Sequence, residues 1–319
     1  MIKLALAMGD PNGIGPEIAL KALAALPRDC DGLQVTLFGD AAVLAETAER
    51  LGLGDVLATV PVQATSHMPA AARRPGLVCA EAGAATVAAA RGALLACRAG
   101  QFQAVVACPH HETAIHQAGI AFRGYPTLVA EVCELSEDQV FLLLVGGGVR
   151  IVHVTLHESV RSALARLTPA RVVAAARAGA AACLALGVAA PRIGVFGINP
   201  HASEGGLFGP EDAEITVPAV QALRAEGWQV DDPEGADVLL TRRAHDVYVA
   251  MLHDQGHIAI KLLAPQAASA LSVGGDVVLA SVGHGSAMDI AGQGVAKPDA
   301  LVRTLRLLAG GAAHAGSVA

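Results

Sequence analysis

Short apolar runs that empty into polar residues constrain this chain more than any other feature. Ala104 to Ala107, Arg150 to Leu156, Ile193 to Ile198 and Val249 to Leu252 are rich in Ala, Val, Ile and Leu. Each is short enough to be a buried strand, and helix-like segments separate them. They lead into Cys108-Pro-His-His-Glu-Thr113, His157-Glu158, Asn199-Pro-His-Ala-Ser-Glu-Gly-Gly206 and His253-Asp254. Strands alternating with helices predict a parallel α/β sheet, and such sheets bind ligands beyond the carboxyl ends of their strands. Titratable side chains therefore gather where that architecture does chemistry.

In chain order, Ile2 to Ala7 reads as a strand, followed by Gly9-Asp-Pro-Asn-Gly-Ile-Gly-Pro-Glu17 and a helix from about Pro16 to Leu26. Proline in the first turn with Glu17 behind it suits a helix N-terminus. The loop lacks both the Walker Gly-Lys-Ser/Thr and the Gly-x-Gly-x-x-Gly fingerprint. It is a plain strand-to-helix turn or a ligand site, with Gly13 and Gly15 as candidates for close approach to a cofactor. Val35 to Phe38 is a strand, Ala41 to Leu51 a helix, 58–80 irregular, and Ala82 to Ala99 a helix. Val140 to Val145 and Arg150 to Leu156 pair across Gly146-Gly-Gly148, the second ending at His157. Thr168 caps a helix to about Leu186, and another spans Glu211 to Glu226. Asp237 to Thr241 and Val247 to Leu252 read as strands. A Gly-rich segment at 272–276, a short strand, a final helix to about Leu308 and a Gly/Ala tail follow. By pattern, 1–110 and 280–319 make one α/β domain and 111–279 a second.

Although 53% of the residues are hydrophobic, Arg91 and Arg177 interrupt the most apolar windows before the roughly 18–20 residues of a bilayer span. Met1-Ile-Lys leads into only five apolar residues, so neither a signal peptide nor a membrane anchor is expected. A net charge of −7 with sparse basic residues argues against nucleic acid and for a small-molecule partner. The six cysteines, at 30, 79, 97, 108, 133 and 183, form no Cys-x-x-Cys pair. They are expected to be mostly buried reduced thiols of a cytoplasmic protein.

Singly, His157, His201 and His253 read more readily as structural histidines than as ligands. Three at equivalent strand ends change that balance, because converging neutral imidazoles make a divalent-metal site, best suited to Zn2+. Glu158, Glu204 and Asp254 stand beside them to orient the rings, or simply to balance surface charge, the latter favoured for Glu204. Lys261, which follows His253 on the same stretch, and Asp254 are candidate proton carriers. His67, His153, His245 and His314 are read as structural or surface residues.

His253-Asp-Gln-Gly, Asn199-Pro-His-Ala-Ser-Glu-Gly, Gly13-Ile-Gly-Pro-Glu and Cys108-Pro-His-His together resemble the 4-hydroxythreonine-4-phosphate dehydrogenase family of pyridoxal phosphate biosynthesis. The resemblance runs through nearly the whole chain. It implies an isocitrate/isopropylmalate dehydrogenase-like, two-domain α/β/α fold and a homodimer. It further implies a metal held by His157, His201 and His253, some of them contributed across the dimer interface. His284-Gly-Ser-Ala-Met-Asp-Ile-Ala-Gly is similar to the coenzyme loop of isopropylmalate dehydrogenases, which implies roles for His284 and Gly285 and places Asp289 on the adenosine ribose. A carboxylate there favours NAD, since it pairs with a diol and repels a 2′-phosphate.

Departures from that pattern point to another substrate. The family's phosphate-contacting Asn and Arg are here Ala270 and Leu279, and no Lys, Arg or Asn lies between Leu262 and Gly283. A phosphate dianion in a desolvated cleft needs charge-assisted donors. The family's lysine is Glu112, and its His-Thr pair is Tyr125-Pro126. His110-His-Glu-Thr-Ala-Ile-His, Gly124-Tyr-Pro and Val154-Thr-Leu-His-Glu-Ser-Val are similar to the terephthalate cis-dihydrodiol dehydrogenase branch. That resemblance implies NAD-linked oxidation and decarboxylation of an aromatic cis-dihydrodiol dicarboxylate to protocatechuate. His110, His111, His116 and Tyr125 would shape the substrate pocket, with Leu262, Leu263, Ala270 and Leu279 as an apolar lining. The alternatives are a dehydrogenase of a phosphorylated hydroxy acid, and a homologue that keeps metal and nucleotide binding but has lost catalysis.

Overall fold

The computed structural model describes residues 2–26, 32–265 and 268–310. Cys30, His314 and the Gly/Ala tail lie outside them. The chain divides into two compact units, Met1–Glu134 with Asp276–Gly311, and Leu135–Gly275. The first boundary falls after Glu134 and not after residue 110, because the two helices that follow residue 110 pack on a helix of the first unit.

The first unit opens with β1 (Ile2–Ala7), α1 (Gly15–Ala25), β2 (Leu33–Asp40), α2 (Ala41–Leu51), α3 (Gly54–Ala58) and β3 (Val62–Ser66). It continues with α4 (Ala80–Arg98), β4 (Ala104–Ala107), α5 (Glu112–Gln117) and α6 (Tyr125–Val132). Asp40 caps α2, its Oδ1 accepting from Ala42 N at 2.9 Å and Val43 N at 3.2 Å, as an N-cap carboxylate should. The stretch read as irregular, 58–80, contains β3. That strand sits at the edge of its sheet with its residues exposed or half-buried, so it carries no apolar alternation to betray it.

The second unit comprises β5 (Phe141–Gly146), β6 (Val149–His153), α7 (Val160–Arg166), α8 (Pro169–Ala185), β7 (Arg192–Val195) and α9 (Val217–Ala225). After these come β8 (Gln229–Val230), α10 (Ala236–Arg242), β9 (Val247–Ala250), α11 (His253–Leu263) and β10 (Ser269–Val273). The chain then returns to the first unit as β11 (Leu279–Val282) and α12 (Asp299–Leu308). The first unit's strands run β3-β2-β1-β4-β11, all parallel. Those of the second run β10-β5-β6-β9-β7-β8, antiparallel across β10/β5 and β5/β6 and parallel thereafter.

Three expectations need correction. Asp237 to Thr241 is helix α10, not a strand: five residues cannot distinguish the two periods, and only Leu239 among them is fully buried. The strand expected to end at His157 stops at His153, so His157 lies on the following loop. Leu279, expected to line a substrate pocket, is fully buried in β11 opposite Val105. Among the described residues no helix is long and apolar enough to cross a membrane. Cys97, Cys108, Cys133 and Cys183 are buried free thiols and Cys79 is a half-buried one. Burial raises the pKa of all five, pushing Cys97, Cys133 and Cys183 to about 11.

Candidate active site

In the first unit the loop after β1 is a structural hub. Asp10, Asn12 and Glu17 are all buried. Asn12 Nδ2 donates to the Ala72 and Leu77 carbonyls at 2.9 Å, while its Oδ1 accepts from Arg74 N. Glu17 accepts from Ala296 N at 2.8 Å and Gly294 N at 3.2 Å and pairs with Lys21 at 2.8 Å. The polar residues of this motif thus staple distant loops to α1. Gly13 and Gly15 are buried too: a Cβ on Gly13 would lie 2.9 Å from Ser286, and one on Gly15 would strike the Met8 carbonyl. Both glycines serve backbone packing, and Gly13 fits the loop against the segment that carries His284. Asp10 Oδ1 accepts from Asn12 N, while Oδ2 is buried without a partner. Burial raises the Asp10 pKa against the opposing effects of backbone N–H groups and His111.

Above this hub is a cavity of about 280 Å3 lined by Pro109, His110, Glu112, Tyr125, Ser281, Val282, His284 and Gly285. It brings two of the expected substrate residues, His110 and Tyr125, to two of the five expected coenzyme residues, His284 and Gly285. His110 meets the edges of Phe122 and Tyr125 at 4.9 Å, and burial lowers its pKa. Tyr125 contributes its ring alone, because its hydroxyl donates to the Cys108 carbonyl at 2.8 Å and burial holds it protonated. His111 is turned to the backbone, capping α5 through Nδ1 and Ala114 N. His116 is not among the lining residues. Asp289 stands exposed on the loop after β11, where its carbonyl accepts from Gln293. Among the described residues no lysine or arginine lines the cavity, and Glu112 adds a carboxylate.

The second unit carries the three candidate metal ligands, His157, His201 and His253. β9 ends at Ala250, and His253 opens α11 after two intervening residues. Gln255 Oε1 reaches back to the N–H groups of Met251 and Leu252 at 2.9 and 3.1 Å, while its Nε2 donates to Gly197 O. His253 Nδ1 bonds Asp254 Oδ1 at 2.7 Å, and its ring lies 5.3 Å from that of His157. Two residues not foreseen as functional complete the group. His257 stacks on His253 with centroids 3.7 Å apart, and its Nδ1 lies 3.2 Å from His153 Nε2. Burial lowers the pKa of His153 to about 3 and of His257 to about 4, so both rings are neutral. The i, i+4 spacing of His253 and His257 was visible, but only a helix makes it a shared face. Lys261, exposed, continues that row by another four residues.

His201 is not brought to this group. It begins a left-handed turn in which His201, Ala202, Ser203 and Glu204 all have positive φ, a conformation costing roughly 1–2 kcal/mol per residue. Buried Asp212 sustains it, accepting from Ile198 N, Asn199 N, Ser203 Oγ and Thr216 Oγ1 at 2.7–3.0 Å. The ring nearest His201 is the half-exposed Phe208, at 6.2 Å. Among the described residues no three His, Cys, Asp or Glu side chains are set to hold a metal ion. His157 and His253 fit as donors: the Asp254 bond leaves the Nε2 lone pair of His253 unspent. Glu158 instead pairs with Arg166 and Ser162. His245, buried against Tyr248, pairs with Asp231 and is structural, as expected.

The pyridoxal phosphate biosynthetic protein PdxA family model matches residues 31–308. This chain belongs to the PdxA family. It is 58% identical over 306 residues to 1,2-dihydroxy-3,5-cyclohexadiene-1,4-dicarboxylate dehydrogenase from Comamonas sp, covering 96% of each chain. The crystal structure of a terephthalate 1,2-cis-dihydrodiol dehydrogenase from Burkholderia xenovorans LB400 superposes with a TM-score of 0.79 at 49% identity, covering 97% of this chain and 98% of that one. A 4-hydroxythreonine-4-phosphate dehydrogenase from Burkholderia phymatum gives 0.86 at 31% identity, with the same coverage. A β-decarboxylating dehydrogenase from Thermococcus kodakarensis, 17% identical with a TM-score of 0.51 over 98% of this chain and 84% of that one, shares the fold alone. The expected dehydrogenase-type α/β fold is the one observed.

Proposed function

We propose that this enzyme is an NAD-dependent dehydrogenase that converts 1,2-dihydroxy-3,5-cyclohexadiene-1,4-dicarboxylate to protocatechuate, CO2 and NADH. The observation that carries this reading is the 58% identity, over nearly the full length of both chains, to a dehydrogenase of that diol. The cavity of the first unit supports it physically. His110 and Tyr125, packed against Phe122, offer aromatic rings suited to a carbocycle, and among the described residues no cation lines the wall to hold a phosphate. A 4-hydroxythreonine-4-phosphate or threonate-phosphate substrate is correspondingly disfavoured. The survival of His157, His201, His253, Asp254 and Lys261 together speaks against an inactive homologue.

His157, His201 and His253 would hold a divalent metal, Zn2+ by donor chemistry, with His201 supplied by the second chain of a homodimer. The isolated position of His201 beside exposed Leu207 and Phe208 supports that sharing. When bound, such an ion supplies Lewis acidity to the hydroxyl and carboxylate oxygens of the substrate. The chain's own groups do the rest. The Asp254 hydrogen bond fixes the His253 tautomer and favours Asp254 as an orienting group. Lys261 is then the proton carrier, or the anchor of a substrate carboxylate, on the face that carries His253. Asp289, exposed on its loop, would accept from ribose hydroxyls of NAD, with His284 and Gly285, which line the cavity, beside the coenzyme. NAD, when bound, would supply the hydride acceptor for the carbinol carbon; loss of CO2 from the resulting β-keto acid and rearomatisation of the ring would drive the conversion forward. We place the enzyme in the cytoplasm, where NAD and reduced thiols are both maintained.

NADH formation followed by absorbance, with the cis-dihydrodiol, with each phosphorylated hydroxy acid and with no substrate, tests this reading. Turnover of the diol alone is expected. Faster turnover of a phosphorylated acid would overturn the substrate assignment, and turnover of none would overturn the enzyme assignment.

A further inference from the structure

His153 and His257 lie 104 residues apart in the chain and meet in the second unit. His153 is fully buried at the end of β6, with Nδ1 3.2 Å from the Leu142 carbonyl. A carbonyl only accepts, so Nδ1 carries the proton and Nε2 presents its lone pair. That lone pair faces His257 Nδ1 at 3.2 Å, which must therefore carry a proton, shared with the His253 carbonyl at 3.2 Å. The His257 ring is pinned by both bonds and lies flat on His253, at 3.7 Å and 11°. On the other side of the row, Asp254 accepts from His253 Nδ1. The sequence accommodates this contact at Gly256, where a Cβ would collide with His153 Nε2. A helix face therefore gives up a side chain so that a buried imidazole can reach the next residue.

We propose that His257, keyed by His153, is a positioning residue that fixes the ring plane of His253 and thereby the direction of its Nε2 lone pair. This rests on the reading of His253 as a metal ligand. The bond from Asp254 sets which nitrogen is free, and the stack sets where that nitrogen aims. A ring held by one hydrogen bond still swings about that bond; a second, stacked ring with its own two hydrogen bonds removes the swing. The row also explains why polar imidazoles occupy an interior position that an aliphatic pair would otherwise fill.

Co2+ binding to the metal-free full-length protein tests this through its absorption spectrum and affinity, alongside kcat and KM for the diol. His257→Ala and His153→Ala are expected to weaken Co2+ about 10- to 100-fold and lower kcat with KM little changed. His257→Phe, which restores a flat ring, should recover part of both losses. Long-range 15N–1H spectra of the metal-free wild type should show His153, His257 and His253 each as a single Nδ1–H tautomer. Wild-type Co2+ affinity, spectrum and kcat in both His257 variants would overturn the proposal while leaving the metal reading intact, provided His253→Ala abolishes Co2+ binding. Unaltered Co2+ binding in His253→Ala would overturn both.

Discussion

The segments that follow β1 and β9 both lead from a strand into a helix, yet spend their polar groups in opposite ways. After β1, Asn12 and Glu17 are buried and their hydrogen bonds run to the backbone of distant loops. After β9, His253 is about one-third exposed and is held from behind by Asp254 and His257, with Nε2 left open. A polar side chain whose every bond is internal maintains architecture. One fixed at one atom and open at another is prepared for a ligand.

The contrast breaks most visibly if the two sites are stripped in turn. His253→Ala, or treatment with a strong chelator, should lower kcat/KM more than about 100-fold with metal content falling in step, while the thermal midpoint moves little. Full activity in metal-free protein would place chemistry elsewhere. Lys261→Met should reduce kcat by about 100-fold if the lysine carries a proton; if it anchors a carboxylate, KM rises instead, and steady-state kinetics separate the two. Asn12→Ala should act on stability alone. It leaves two carbonyls and an N–H to find other partners, costing about 2 kcal/mol in denaturant titrations, with normal kcat in the folded fraction. A specific kcat loss there would show that the β1 turn is more than architecture. Smallest is Asp254→Asn, which keeps a hydrogen-bonding side chain but loses its charge. About a 10-fold loss of metal affinity is expected, and no loss would deny the carboxylate its orienting role.

Much of this was legible in the linear chain because periodicity is local. The runs at 2–7 and 104–107, the Thr168 cap with the helix after it, and the helix at 41–51 stand where pattern and cap chemistry place them, and the run at 193–198 begins as the strand Arg192–Val195. The failures share a cause. α10 and the start of α11 are segments whose apolar residues are too few to declare a period, so packing chose their conformation. Placing His253 simply at a strand end hid the His253/His257 face, and His153 was set aside as structural because nothing nearby marks it. Gly13 and Gly15 looked like ligand-loop glycines; what they approach is Ser286 and Met8.

The sequence by itself determined the alternating α/β architecture, the titratable residues at the carboxyl ends of its strands, and the lack of cationic donors from Leu262 to Gly283. All are properties of residues close together in the chain. The tertiary structure alone decided which histidines touch. His153 and His257 become neighbours only when β6 and α11 pack, and His201 stands apart only because Asp212 holds a left-handed turn that no periodicity announces.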